Sequence, residues 1–102
     1  MAVLALFANP SMTKAHYQRL RKEVGWEVPK PPGGIFDVAG CGEKGGIHVA
    51  DVWESAEALN HFVNSRLMPA MQKHGISAPS VEVIPVHNAN AYYAIDAYRV
   101  KS

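Results

Sequence analysis

Two acidic residues interrupt apolar runs in this 102-residue chain: Asp51 in IHVADVW and Asp37 in IFDVAG. Strand alternation puts Asp51 on one face with Ile47, Val49 and Trp53. An ionised carboxylate buried there costs several kcal/mol or more unless it is paired, hydrogen-bonded or protonated. One reading makes Asp51 a general base of raised pKa that deprotonates a phenolic or activated C–H substrate. The other makes it a structural acceptor for backbone or arginine groups near a helix start. Whether Asp37 joins it depends on the turn between the two strands. A three-residue Lys44-Gly45-Gly46 loop makes Asp37 and Asp51 diagonal neighbours able to share a proton, with Asp37 opposite Trp53. A two-residue Lys44-Gly45 turn sends them to opposite faces.

Other side chains could serve a pocket. His87 closes the last apolar strand, and its near-neutral pKa suits proton transfer. Trp53 offers an aromatic wall for a flat substrate, or simply core packing. Tyr17, on the apolar stripe of the first helix, could turn its hydroxyl into the same space. The loop around Trp26 reads as a lid or as a proline-stiffened connection. The five histidines show no HExxH or HxH spacing, and the one cysteine, Cys41, gives no thiolate cluster, so no metal site is expected. Cys41 has no neighbouring histidine or helix start to activate it. GCGEKGG precedes a strand and not a helix, so it is no phosphate loop.

The elements that must position these groups follow from periodicity. Ala2–Ala8 is a strand apolar on both faces, closed by Asn9-Pro10. Ser11 or Thr13 caps a helix that carries Tyr17, Leu20 and Val24 on one stripe and ends at Gly25. WEVPKPPGG is a stiff loop. Ile35–Gly42 and Ile47–Trp53 form a hairpin. Ser55 caps a second helix that buries Leu59, Phe62, Val63, Leu67, Ala70 and Met71, while His61 faces water. Pro69 kinks or restarts that helix, and Gly75 ends it. Val81–His87 is the fourth strand, and Pro85 places it at an edge or turns its own amide position away from a neighbour.

The order β-α-β-β-α-β is the ferredoxin-like arrangement, an α+β fold with a four-stranded antiparallel sheet. Its helices cover one face only, and the other remains apolar. A homodimer packed sheet face to sheet face is therefore expected. NAYYAIDAYRVKS is too apolar for a free tail, and this extension (89–102) is expected to dock on its own or the partner subunit.

Length and composition fit one globular domain, with 48% hydrophobic residues. Ten basic against nine acidic residues leave no basic excess for nucleic acid. The apolar start lacks a signal peptide's basic region, no run approaches a membrane span, and a lone cysteine fits a reducing cytoplasm.

Taken together, PSMT before the first helix, PPGGIFDVAG, DVWESAEALNHF and a closing VHN resemble the dimeric α/β-barrel superfamily. Within it they are most similar to antibiotic-biosynthesis-monooxygenase (ABM)-type proteins, over about residues 2 to 88. The resemblance implies two sheets paired into a barrel and a pocket between sheet and helices. It also implies an enzyme that takes a small, flat, apolar or phenolic molecule without a bound cofactor, as a monooxygenase, isomerase or cyclase. A non-catalytic binding dimer is the competing reading. The family's helix-two histidine is replaced here by Phe62, and the Asn/Trp/His set of haem-degrading members cannot be placed.

Overall fold

The computed structural model describes residues 1–27 and 29–100. Four strands, β1 (Val3–Asn9), β2 (Gly34–Cys41), β3 (Ile47–Trp53) and β4 (Ser80–Pro85), form one antiparallel sheet in the order β2-β3-β1-β4. Helix α1 (Lys14–Val24) joins β1 to β2. Helix α2 (Ala56–Phe62), a π-helical turn (Val63–Leu67) and helix α3 (Met68–Lys73) join β3 to β4. This is the ferredoxin-like βαββαβ fold.

Local chemistry sets the helix ends. The Thr13 hydroxyl accepts from the His16 amide at 3.0 Å, and the His16 ring accepts from the Thr13 amide, so two orphan donors of α1 are satisfied. Gly25, at φ 67°, takes the left-handed turn that closes the helix. Ser55 accepts from the Ala58 amide to start α2. The expected break falls as a wide turn before Pro69, where the Ser65 hydroxyl donates to the His61 carbonyl. Pro69 follows at the start of α3, and the backbone stays helical through Leu67 and Met68, so the wide turn takes up the proline without breaking the helix.

The sheet's two faces differ in what covers them. Toward the helices, Val3, Ala5, Phe7, Ile47 and Trp53 pack with Leu20, Val24, Leu59, Phe62, Ala70 and Met71. On the other face, rows cross the strands from Phe36 through Val52 and Leu4 to Ile84, and from Val38 through Ala50 and Leu6 to Glu82. Phe36, Val38, Leu6 and Ile84 are all exposed there. β4 is an outer strand, as Pro85 requires. It ends at Pro85 and not at His87, although Val86 still donates one bond to the Ala2 carbonyl.

The hairpin departs from both expected turns. Gly42 and Gly45–Gly46 close it, with the Gly42 amide donating to the Gly46 carbonyl, so the loop is Glu43-Lys44-Gly45. Gly45 and Gly46 both have positive φ, which glycine adopts without a Cβ penalty. The strands are thereby displaced by one residue on each side of the turn. Asp37 faces Asp51 directly, and Gly34, not Asp37, is opposite Trp53 across a β-bulge at Ile35.

Residues 93–98 form a short 3-10 helix, Tyr93–Tyr98. Ile95 is half-buried, whereas Tyr92, Tyr93 and Tyr98 are largely exposed.

Candidate active site: an acid pair on the floor of an apolar cleft

The register builds the site. Because side chains directly opposite in an antiparallel pair share a face, Asp37 and Asp51 both point to the helix side of the sheet. There they meet a cleft of about 970 Å³, mostly apolar, between the sheet, α1 and the Trp26 loop. That volume suits a drug-sized molecule. Ala5, across from Asp51 on β1, is fully buried and offers no polar partner.

Asp51 is 8% exposed and Trp53 3%. Burial first, and then hydrogen bonding and repulsion from the facing Asp37, together push the Asp51 carboxyl up to about 9, with the Trp53 indole opposing the shift. Asp51 is therefore the carboxyl that keeps its proton through neutral pH. Among the described residues, Asp51 Oδ1 has no hydrogen-bond partner, and neither has Trp53 Nε1. The indole and the carboxyl are near enough to affect each other but are not joined by a bond of ordinary geometry.

The walls are aromatic. The Tyr17 and Trp26 rings lie 5.7 Å apart, and Trp53 packs on Phe62 at 5.1 Å. Burial is the main cause that pushes the Tyr17 hydroxyl up to about 12, with Asp37 and Glu27 adding to it. Tyr17 thus stays a neutral donor and acceptor at the cleft. At the mouth, Arg21 Nε donates to both Glu27 oxygens at 2.6 and 2.8 Å, and Arg21 Nη1 donates to Gln18 at 2.8 Å. This clamp ties the Trp26 loop to α1. Ile95 and Tyr98 of the C-terminal segment also line the opening.

Of the residues expected to serve the site, Asp51, Asp37, Trp53 and Tyr17 meet at this cleft. His87 does not: it is exposed, beyond the end of β4, and outside the cleft lining. The β4–β1 pairing ends at Pro85, so the chain leaves the sheet before a histidine there could turn inward. His61 is exposed on α2. Arg21 and Glu27 were not singled out from the sequence, where charged residues on a helix and in a loop carry no sign of meeting. Among the described residues, no group of three or more His, Cys, Asp or Glu could hold a metal ion. Among them, too, no helix is long and apolar enough to cross a membrane.

No family model matches the chain, and no curated protein matches it. Solved structures do. The cofactor-independent oxygenase SnoaB from Streptomyces nogalater superposes with a TM-score of 0.62 at 10% identity, covering 86% of this chain and 94% of that one. The monooxygenase of the gene ActVA-Orf6 from Streptomyces coelicolor, solved with nanaomycin D, gives 0.57 at 14% identity, covering 89% and 92%. NE2512 from Nitrosomonas europaea, a protein of unknown function, gives 0.65 at 17% identity, covering 90% and 96%. At these identities the likeness is one of fold. The chain has the ferredoxin-like α+β fold of the antibiotic biosynthesis monooxygenase structures, as its motifs led us to expect.

Proposed function

We propose that the chain is a small-molecule enzyme that binds a flat, largely apolar, hydroxylated molecule in the cleft and moves a proton at its floor. The observation that carries this reading is the Asp37–Asp51 pair: Asp51 lies buried beside aromatic walls and directly opposite Asp37, and among the described residues its Oδ1 has no hydrogen-bond partner. The likeness to SnoaB, a cofactor-independent oxygenase, and to the ActVA-Orf6 monooxygenase supports a monooxygenase of ABM type that needs no bound cofactor. In that chemistry the substrate's own electrons reduce dioxygen. One oxygen atom enters the product and the other leaves as water, while the protein supplies orientation and proton transfer. An isomerase or cyclase would use the same pair without oxygen.

The working unit is a homodimer joined through the open sheet face, where Phe36, Val38, Leu6 and Ile84 stand exposed in rows. A free patch of this kind on a soluble chain favours association.

A thermal-shift screen with quinols and anthrone-like polyphenols, followed by oxygen uptake, tests the function. Binding with oxygen uptake that Asp51→Asn abolishes is the expected result. Binding without turnover would make the chain a binding dimer, and an unchanged rate in Asp51→Asn would remove Asp51 from the chemistry.

A further inference from the structure

Among the described residues, Asp51 Oδ1 and Trp53 Nε1 are unpaired groups of opposite sense. With the Asp51 proton on the other oxygen, Oδ1 can only accept a hydrogen bond, and the indole N–H can only donate one. They belong to residues two apart on β3, so both project to the helix side of the sheet, and both residues line the cleft. Their burial makes two missing bonds costly. A hydroxyl group, with one proton to give and lone pairs to accept, is the smallest ligand group that satisfies both. An ether, a bare ring or an ionised oxygen satisfies at most one.

We propose that a single un-ionised ligand hydroxyl enters between Asp51 and Trp53, donating to Asp51 Oδ1 and accepting from Trp53 Nε1, and that its proton leaves through Asp51 to Asp37. This rests on the cleft being the ligand site and specifies which group of the ligand is read there. Because neither atom is exposed at the cleft surface, the hydroxyl enters by parting the two side chains.

The relay balances. The ligand O–H bond breaks as a bond to Asp51 Oδ1 forms, while the proton on the other Asp51 oxygen passes to the facing Asp37 carboxylate. Asp51 ends neutral, as it began. Asp37, which is exposed, releases the proton to water. The oxygen anion left behind keeps the Trp53 N–H as its donor. In this way a buried acid that already holds a proton still serves as the first acceptor of another.

The test compares 2-naphthol, 2-methoxynaphthalene and naphthalene by calorimetric titration at pH 7. It is paired with the Trp53 indole N–H signal in a 15N-labelled protein, assigned by Trp53→Phe. We expect 2-naphthol to bind at least about tenfold tighter than its methyl ether, the advantage of satisfying a buried acceptor. The Trp53 signal moves downfield with 2-naphthol and not with naphthalene. Asp51→Asn retains an acceptor oxygen and an N–H toward Asp37, so it keeps the preference for the hydroxyl but loses proton transfer. Asp51→Leu loses the preference. Equal affinity for naphthol and ether, with an unmoved Trp53 signal, would overturn the proposal and leave the cleft standing as a ligand site. Failure of all three to bind would overturn both. Should Trp53→Phe not fold, the signal is assigned instead as the one remaining in Trp26→Phe, and the comparison of ligands is unaffected.

Discussion

Replacing Asp51 by asparagine should stabilise the protein and flatten its response to pH. In the folded chain the Asp51 carboxyl holds its proton up to about pH 9, whereas in the unfolded chain it loses it near 3.8. Between those values the folded state binds the extra proton, so rising pH favours unfolding. The stability tied to this proton is full below about pH 4 and is lost progressively as pH climbs toward 9. Its slope is about 1.4 kcal/mol per pH unit, on the order of 4 kcal/mol across pH 5 to 8. That is a large share of what a small domain possesses. Asparagine copies the shape of the protonated acid and can donate to Asp37 without holding any titrating proton. Urea unfolding of both proteins at pH 5, 6, 7 and 8 measures the effect. The two stabilities should lie close together at low pH and separate as pH rises, with Asp51→Asn the more stable at pH 8. Parallel profiles with a constant gap would refute the reasoning, because Asp51 would then titrate alike in both states.

Other consequences follow from packing. Leu59, 2% exposed under the sheet, should cost about 2 to 5 kcal/mol when cut to alanine, read as a lower urea midpoint. At Gly33, with φ 84°, an added Cβ would meet the Ala58 Cβ at 2.6 Å, and both sit in secondary structure or tight turns that cannot easily give. Gly33→Ala should therefore lose about 1 to 3 kcal/mol by the same measurement. Arg21→Ala removes the clamp on Glu27 and should loosen the Trp26 loop, shifting tryptophan emission to the red and weakening aromatic ligands severalfold. Val38→Asp on the open sheet face should turn the proposed homodimer into a monomer in analytical ultracentrifugation.

Much of this architecture could be read from the residues. Thr13, Gly25 and Ser55 are end signals whose physics is local, and each caps or closes its helix as expected. The alternation IHVADVW was enough to bury Asp51 beside Trp53, because a period of two leaves no other face for it. The hairpin was harder. Three glycines and a lysine allow several turns of similar energy, and moving the turn by one residue slides Asp37 from a diagonal to a direct neighbour of Asp51. Its chemistry therefore hung on a choice that glycine leaves open. His87 was misplaced for a related reason: VEVIPVH has the alternation of a strand to its end, but Pro85 is where the ladder with β1 stops. The Arg21–Glu27 clamp joins a helix to an irregular loop, and no periodicity reports such a meeting. Likewise, nothing local shows that Ile95 and Tyr98 reach the cleft.

The central claim is that Asp51 is a neutral acid in a pair with Asp37. The most direct measurement is the carboxyl 13C shift of Asp51 in aspartate-labelled protein, assigned by its loss in Asp51→Asn and followed from pH 3 to pH 10. The account predicts a carboxyl that keeps its protonated shift through pH 7 and titrates near 9. A carboxyl already ionised at pH 7, with its midpoint near that of a free aspartate, would contradict it.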